Sequence, residues 1–413
     1  MKKVEGGVTA AKGFFATGLE AGIKKPGIKD MAMVYSDKPC HVAGTFTTNL
    51  VKAAPVIWDR EVCENSASAS AVVVNSGVAN ACTGAEGYGY CKDIASETAR
   101  QLNEKYHTDY TMQNVLVAST GVIGKQLPMD VILKGITGLT HQLGDSFADG
   151  HLAAQAIMTT DTVEKEVAVQ FEVNGVTCTV GGMCKGSGMI HPNMCTMLAF
   201  ITTDTAISKE MLTKALKEDV TDTYNMISVD GDTSTNDTVL VLANGEAQNC
   251  EITEDGEAYQ AFKEALHEVN VTLAKKIAGD GEGATALFEV KVIGAESKEQ
   301  AVTLSKSIVT SSLTKAAIFG HDANWGRILC AMGYSGAKFD PEKVDLFFES
   351  KAGKIQIIEN GVAVDYSEEE ATKILSEEAV TAIADVKMGD ATATAWGCDL
   401  TYDYIKINAD YRS

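Results

Sequence analysis

A glycine-rich segment near the middle of the chain, residues 185–204, carries the residue types that could do chemistry. It reads Lys-Gly-Ser-Gly-Met-Ile-His-Pro-Asn-Met-Cys-Thr and then turns apolar. The glycines and the proline predict a tight loop over residues 185–193, and residues 196–201 predict a short buried strand. Thr196 lies where the two meet. A threonine hydroxyl needs a neighbouring base to act as a nucleophile, and a free α-amine on the same residue can be that base.

The α-amine of Thr196 becomes free only if the chain is cut between Cys195 and Thr196. The residue types alone leave a plainer alternative open, because threonine is common at the start of a buried strand. The pattern therefore defines two hypotheses for Thr196, a self-generated nucleophile and an ordinary strand residue.

Two turns of small residues follow short apolar strands and could bring backbone N–H groups to a ligand. Residues 71–74 lead into Asn-Ser-Gly-Val-Ala-Asn-Ala-Cys-Thr-Gly at 75–84, and residues 114–118 lead into Ser-Thr-Gly-Val-Ile-Gly at 119–124. A glycine N–H with an adjacent hydroxyl could stabilise an oxyanion. From the pattern alone, a plain connection between elements also explains both turns. The second turn is not a phosphate loop, because the lysine-plus-hydroxyl ending is absent.

Two polar segments are expected near these turns. Thr-Thr-Asp-Thr at 159–162 is placed for a helix end or a pocket rim. Residues 228–237 are acidic and rich in hydroxyl groups, but the spacing that a calcium loop requires is missing.

Hydrophobic periodicity predicts the elements that must position these segments. A hairpin with its turn at Asn174-Gly175 delivers the chain to the segment at 185–204. Residues 30–36 and 41–47 alternate as strands around a turn, and residues 391–407 also alternate. Helices are predicted over residues 86–106, 130–143, 147–158, 208–224, 257–278, 299–317 and 367–377, and further strands over residues 238–243, 287–292, 343–349 and 354–359.

Composition excludes several classes of function. The chain has 413 residues, 45% of them hydrophobic and 22% charged, which is typical of a soluble globular protein. A net charge of -21 would repel a nucleic-acid backbone. No apolar run approaches the roughly 18 residues that span a bilayer, and we expect neither export nor a membrane partner. The ten cysteines are scattered, which favours reduced thiols in the cytoplasm and gives no support for a metal site.

The 185–198 segment resembles the self-cleavage segment of the ornithine acetyltransferase family of arginine biosynthesis. The turns at 75–84 and 119–124, Asp-Gly-Glu-Gly-Ala-Thr at 280–285 and Asp-Ala-Asn-Trp-Gly-Arg at 322–327 resemble further family segments, so that the likeness covers nearly the whole chain. Residues 228–237 also resemble a family segment, which implies that they form a loop lining the site. The resemblance implies an α/β sandwich of stacked sheets and helices, related to the N-terminal-nucleophile hydrolases, with a smaller C-terminal α/β domain. It divides the chain into 1–195, 196–285 and 286–413.

The resemblance also implies roles for individual residues. Thr196 would become the N-terminus of a second chain and carry the acetyl group, while the Thr120 hydroxyl and the Gly121 amide would form the oxyanion hole. From spacing alone, Glu282 would be a solvated turn residue, but the family places it in the substrate pocket. The implied substrate-binding residues are Thr159, Lys185, Thr196, Glu282, Asn408 and Ser413.

The sequence departs from the family pattern at a few positions. Cys195 replaces the usual alanine before the cleavage point, and because it is small we expect cleavage to survive. Val78 replaces an asparagine, Ala286 replaces a lysine, and Ser413 stands where many members end in threonine.

The implied reaction moves the acetyl group of N-acetylornithine to glutamate through an acetyl-threonine intermediate. No bound cofactor is expected; acetyl-CoA is a candidate co-substrate, because bifunctional family members use it to make N-acetylglutamate. The two chains of one precursor are expected to stay together and to pair as an α2β2 assembly in the cytoplasm.

Two alternatives come from other classes of protein. An N-terminal-nucleophile aminopeptidase or amidase would share the cleavage chemistry but pass the acyl group to water. A non-catalytic ligand-binding protein would remain a single uncut chain.

Overall fold

The computed structural model describes residues 1–191 and 197–410. The predicted cleavage site, Cys195 and Thr196, and the predicted contact residue Ser413 lie outside the described residues. The described residues form two compact units. Unit 1 comprises those of Met1–Gly186, Pro192–Asn225 and Thr233–Leu273, and unit 2 comprises those of Ser187–His191, Met226–Asp232 and Ala274–Ser413.

Unit 1 is built on one mixed sheet, and strands are labelled in chain order through the whole protein. Its strands are β1 (Lys2–Val4), β2 (Phe14–Leu19), β3 (Met31–Phe46), β4 (Ala69–Val78), β5 (Val115–Val122), β6 (Lys165–Val173), β7 (Val176–Lys185), β8 (Leu198–Thr203) and β10 (Thr238–Ala243). They follow the order β1-β6-β7-β8-β10-β3-β4-β5, with β2 paired to β3.

Helices pack against this sheet. They are α1 (Ala54–Asn65), α2 (Gly84–Tyr106), α3 (Met129–Gln142), α4 (Phe147–Ile157), α5 (Lys209–Asp219) and α6 (Glu257–Gly279), whose last turns belong to unit 2. Capping side chains begin two of them: the Ser146 hydroxyl accepts from the Asp149 N–H at α4, and the Ser208 hydroxyl accepts from the Met211 N–H at α5.

The long strand β3 joins two parts of the sheet. Its first half pairs with β2 and β4, and its second half pairs with β10, with a register shift between Tyr35 and Cys40. The alternation around Lys38-Pro39 is thus carried by one irregular strand. Pro39 has no N–H to offer a ladder, which suits it to the place where the pairing partner changes.

The strands that surround the 185–204 segment are regular. The hairpin of β6 and β7 turns at Asn174 (φ 51°) and Gly175 (φ 80°), and positive φ at both central residues is the tight turn that Asn-Gly favours. Strand β8 lies between antiparallel β7 and parallel β10. The chain therefore leaves the sheet at Lys185 and re-enters it at Leu198 on the neighbouring strand.

The core of unit 1 is a continuous apolar cluster around β3, β4 and β5. Trp58 of α1 is fully buried in it and donates its indole N–H to the Val115 carbonyl at 3.0 Å. A buried indole needs such a partner.

Unit 2 has its own sheet. Its strands are β9 (Ile227–Ser228), β11 (Leu287–Ala295), β12 (Asp345–Ser350), β13 (Gly353–Glu359), β14 (Val362–Ala363), β15 (Ala379–Asp385) and β16 (Ala391–Cys398), in the order β14-β13-β12-β15-β11-β16-β9. Its helices are α7 (Lys298–Thr310), α8 (Ser312–Phe319), α9 (Trp325–Gly333), α10 (Glu368–Leu375) and α11 (Tyr402–Ala409), together with the end of α6.

The α/β architecture predicted from the sequence is confirmed. Two of the predicted elements each correspond to two separate elements in the structure. The helix expected over 299–317 is broken at Ser311, whose hydroxyl accepts from the Thr314 N–H and begins a new helix. The alternation over 391–407 belongs to β16 only, because the Thr401 hydroxyl caps the N-terminus of α11. Helix α1 was not predicted.

Neither a membrane-spanning helix nor a metal cluster is found in the described ranges. None of their helices combines the length and the apolar character that crossing a bilayer requires. Within the same ranges, no three His, Cys, Asp or Glu side chains converge in a way that could hold a metal ion.

Candidate active site

The turn that holds Thr120 and Gly121 lies at the end of β5, where that strand runs parallel to β4. Gly121 faces Gly77 across the pair and has φ 126°, a value that side-chain-bearing residues rarely adopt. A Cβ at Gly121 would lie 2.3 Å from the Gly77 carbonyl carbon. Only glycine therefore fits at this crossing, and the close approach fixes the direction of the Gly121 backbone.

Side chains from two other segments tie this turn to its neighbours. The Ser119 hydroxyl donates to the Asn75 amide oxygen at 2.6 Å. The amide group of Asn236, from the loop before β10, donates to the carbonyl oxygens of Ala79 at 2.6 Å and Ser119 at 2.8 Å. One asparagine thus holds both small-residue turns, at 75–84 and 119–124.

A buried carboxylate, Asp161, organises the segment next to the turn. It accepts hydrogen bonds from the Thr159 N–H at 2.9 Å, the Gly186 N–H at 2.7 Å and the Lys165 ammonium at 2.7 Å. Burial alone would raise the pKa of Asp161, but the neighbouring Lys185 and Lys165 ammonium groups outweigh it and hold that pKa well below its ordinary value. The Asp161 carboxylate therefore favours its ionised form and fixes the backbone at Thr159 and beside Lys185, two of the predicted substrate-binding residues.

Lys185, at the end of β7, points its ammonium group at the Thr120–Gly121 turn. Its Nζ lies 3.4 Å from the Thr120 hydroxyl oxygen, and both residues are 8% exposed. Lys185 also affects the pKa of Asp237, a buried carboxyl group in the loop before β10. Burial raises the pKa of Asp237 well above its ordinary value, and Lys185 opposes the rise.

A third lysine adds positive charge to the same region of unit 1. The Lys24 ammonium donates to the carbonyl oxygens of Met158 at 2.5 Å and Lys29 at 3.3 Å. Burial lowers the pKa of Lys24 to about 8; Asp30 opposes the shift and Lys185 adds to it. Lys24, Lys165 and Lys185 thus bring three ammonium groups to a region that also holds the carboxylates of Asp161 and Asp30.

Glu282 is held in unit 2, in the turn after α6. It is 7% exposed, its N–H donates to the Ser187 carbonyl at 3.0 Å, and the Asn408 amide group of α11 donates to its carboxylate at 2.7 Å. A Cβ at Gly188 would lie 2.4 Å from the Glu282 carboxyl carbon. The carboxylate is therefore a packed group, unlike the solvated turn residue that spacing alone indicates.

The stretch 187–191, just before the predicted cleavage segment, is anchored within unit 2. The Asp230 carboxylate accepts from the N–H groups of Met189 at 2.6 Å and Ile190 at 2.9 Å. The Ile190 carbonyl accepts from the Val229 N–H at 2.7 Å, and a ring nitrogen of His191 lies 3.2 Å from the Ser228 hydroxyl oxygen. Burial lowers the pKa of His191 to about 4; Lys306 adds to the shift and Asp230 opposes it.

The predicted site residues therefore fall into three sets. Unit 1 brings together Thr120, Gly121, Thr159 and Lys185. Unit 2 brings together Glu282 and Asn408. Cys195, Thr196 and Ser413 belong to the undescribed residues, and their roles stay predictions.

Sequence reasoning did not single out the residues that hold these sets in place, Asp161, Asn236 and Asp230. Each lies in a segment that was expected to line the site, so the segments carried a signal. The individual residues did not, because each acts on backbone groups far away in the sequence.

A mixed sheet covered by helices, with a turn that holds a hydroxyl and a glycine beside a buried lysine, is the architecture of an α/β enzyme. The chain belongs to the ArgJ family, whose model matches residues 15–413. The family resemblance seen in the sequence is thereby confirmed.

Relatives match along the whole chain. The arginine biosynthesis bifunctional protein ArgJ 1 of Clostridium acetobutylicum is 51% identical over 98% of this chain and 97% of its own length. The arginine biosynthesis bifunctional protein ArgJ of Thermotoga neapolitana is 51% identical over 97% of this chain and 99% of its own. A crystal structure of the bifunctional protein argJ from Bacillus halodurans, 46% identical with a TM-score of 0.50, covers 52% of this chain and 99% of the solved chain.

The close approach at Gly121 predicts a large difference between two glycine substitutions. Gly121→Ala should lower the free energy of unfolding by about 1–3 kcal/mol more than Gly124→Ala, because only at Gly121 would the new Cβ meet backbone atoms. Both glycines have positive φ, so Gly124→Ala controls for backbone strain. Urea denaturation measures the difference, and equal destabilisation would show that the crossing with Gly77 tolerates a methyl group.

The lowered pKa of His191 predicts acid sensitivity. Because the unfolded chain takes up this proton near pH 6.5 and the folded chain only near pH 4, the histidine lowers stability as pH falls through that window. The urea midpoint of the wild type should therefore drop further between pH 7 and pH 5 than that of His191→Gln.

His267 supplies a control of opposite sign. Its hydrogen bond to Asp219 raises its pKa, so its contribution to stability is complete below pH 6.5 and is lost as pH rises through the folded-state pKa. His267→Gln should lose more stability on acidification than the wild type. Parallel pH profiles for all three proteins would contradict both assignments.

Proposed function

We propose that this protein is a glutamate N-acetyltransferase of arginine biosynthesis, which moves the acetyl group of N2-acetylornithine to glutamate. Curated relatives that match the full chain are named as bifunctional proteins of that pathway. The observation that carries the proposal is the pairing of the Thr120–Gly121 turn with the Lys185 ammonium, 3.4 Å from the Thr120 hydroxyl. This pairing offers donors for a carbonyl oxygen beside positive charge for a substrate carboxylate.

The catalyst is made by self-cleavage. The Thr196 hydroxyl oxygen attacks the Cys195 carbonyl carbon, and the peptide C–N bond breaks to leave an ester and a free Thr196 amine. Water then hydrolyses the ester. The α-amine has a pKa of about 8, so an unprotonated fraction is available near neutral pH to act as a base.

In acetyl transfer, Thr196 supplies both the base, its α-amine, and the nucleophile, its hydroxyl. The Thr196 amine takes the proton of its own hydroxyl, the oxygen attacks the acetyl carbonyl carbon, and the Thr120 hydroxyl and Gly121 N–H donate to the oxyanion. The C–N bond then breaks, and the ornithine amine leaves with the proton. Glutamate enters, its amine attacks the acetyl ester, and N-acetylglutamate leaves with Thr196 restored.

Substrate recognition follows charge. The Lys185 ammonium and the Thr159 segment receive the α-carboxylate. The Glu282 carboxylate, held by Asn408, receives the δ-ammonium of ornithine, and Ser413 completes the set by family resemblance.

Sheet pairing supports the proposal that the two chains stay together. After a cut at 195–196, β8 and β10 would belong to the second chain, while β7 and β3, their outer neighbours, belong to the first. The fragment Thr196–Ser413 would be 218 of the 413 residues, about 53% of the chain. The solved Bacillus halodurans chain, which matches 52% of this chain over nearly all its own length, has the size of such a fragment.

The remaining parts of the proposal rest on the family. Two pairs of chains assemble as α2β2 in the cytoplasm, and no cofactor stays bound. The word bifunctional in the relatives' names favours a second reaction, in which acetyl-CoA acetylates glutamate. An assay with glutamate and acetyl-CoA alone tests this reaction separately.

Self-cleavage is tested by intact mass and activity together. Purified wild type should contain Met1–Cys195 and Thr196–Ser413, and acetylornithine with glutamate should give N-acetylglutamate. Thr196→Ala should stay uncut and inactive, and Thr196→Ser, which keeps a hydroxyl, should still be cut. Free acetate in place of N-acetylglutamate would indicate an amidase, and an uncut wild type that turns over substrate would refute the mechanism.

The role of Glu282 is tested with two donors. Glu282→Gln should raise KM for N2-acetylornithine by about 10- to 100-fold, because a charged hydrogen bond to the δ-ammonium is lost. KM for N2-acetylnorvaline, which has the same carbon chain without the ammonium, should stay unchanged. Glu378→Gln, at an exposed glutamate of unit 2, is the control. Equal effects on both donors would remove Glu282 from the ammonium role.

A further inference from the structure

The contact between Lys185 and Thr120 has a fixed direction. An ammonium group has three donors and no acceptor, so at 3.4 Å the Lys185 Nζ donates and the Thr120 hydroxyl oxygen accepts. The hydroxyl proton of Thr120 is then directed away from Lys185. It is the proton that an oxyanion hole needs.

Burial makes this contact electrostatically strong. Thr120 and Lys185 are each 8% exposed, and in such surroundings a charge acts on a neighbouring dipole with less screening than in water. A hydroxyl that accepts from a cation becomes a better donor through its own proton, because hydrogen bonds in a chain polarise one another.

Asp161 keeps the lysine in place. Its carboxylate accepts from the N–H of Gly186, the residue after Lys185, and from the Lys165 ammonium, both at 2.7 Å. The carboxylate is fully buried and attracts Lys185 as well. The backbone beside Lys185 is thus fixed. The Lys185 side chain extends from this fixed position to the Thr120 hydroxyl.

We propose that Lys185 is a positioning residue of the oxyanion hole, which orients and polarises the Thr120 hydroxyl so that this hydroxyl donates to the oxyanion. The inference rests on the proposed acetyl transfer and deepens it. In this role, Lys185 would contribute to catalysis even with a substrate that carries no carboxylate.

The step balances without any proton leaving the lysine. As the bond between the Thr196 oxygen and the acetyl carbon forms, the carbonyl π electrons move to the acetyl oxygen, which accepts from the Thr120 O–H. When the bond to the leaving group breaks, those electrons return to the carbonyl. The proton of the Thr196 hydroxyl passes through the Thr196 amine to the leaving group, and Lys185 stays an ammonium throughout.

A neutral acetyl donor separates this task from carboxylate binding. With 4-nitrophenyl acetate, kcat/KM of cut Lys185→Met enzyme should fall by about 10- to 100-fold, as for the loss of an electrostatic contribution to an oxyanion hole. Lys185→Arg, which keeps the charge, should retain most of the rate. Rates are corrected for those of Thr196→Ala. An unchanged kcat/KM for this donor, with a raised KM for acetylornithine, would overturn the proposal.

A double-mutant cycle tests the route through Thr120. In a Thr120→Ala background, Lys185→Met should change kcat/KM for 4-nitrophenyl acetate by less than about 2-fold, because the hydroxyl through which the lysine acts is gone. Losses that multiply in the double variant would overturn the proposal. If a variant precursor stays uncut, residues 1–195 and 196–413 are co-expressed as two chains, and the same four rates decide the question.

The test also separates this inference from the proposed function. A wild type that makes no N-acetylglutamate from acetylornithine and glutamate would refute the function. A wild type that makes it, with a Lys185→Met enzyme that reacts normally with the neutral donor, would refute only the role assigned to Lys185.

Discussion

The part of unit 1 that holds Thr120, Thr159 and Lys185 depends on one buried negative charge, the Asp161 carboxylate. Burying lysines without a partner is costly, and Lys165 and Lys185 are both buried beside it. The same carboxylate accepts from two backbone N–H groups, at Thr159 and Gly186, so it also sets the path of the chain. A single side chain therefore stabilises two buried ammonium groups and also sets the backbone geometry.

Regular elements of this fold could be predicted because their signals are local. Residues 238–243 are a short, almost wholly apolar run and form the buried strand β10, and the apolar periodicity over 257–278 matches α6 within a residue. The break at Ser311 was missed because a single capping hydroxyl interrupts an otherwise helical pattern. Helix α1 was missed because its buried residues cover more than one face, so that its periodicity is weak.

Less of the candidate site than of the fold could be predicted from the sequence. Glycine beside a hydroxyl at Thr120-Gly121 is compatible with a plain turn or with an oxyanion hole, and only the family resemblance favours the second. Asp161 and Asn236 carry no such local signal. Asp161 lies 25 residues from Gly186, and Asn236 lies 157 residues from Ala79, so only folding shows that their polar atoms meet those backbone groups.

The position of β8 and β10 inside the sheet determines how firmly the two chains would stay associated after cleavage. Both strands are hydrogen-bonded to segments that precede residue 186, so scission at 195–196 would remove no ladder bond between them. Cleavage would yield the two chains in equal amounts, already hydrogen-bonded to each other in one sheet. Separating them would require breaking the backbone hydrogen bonds between neighbouring strands inside the sheet, so we expect the two chains not to exchange between molecules.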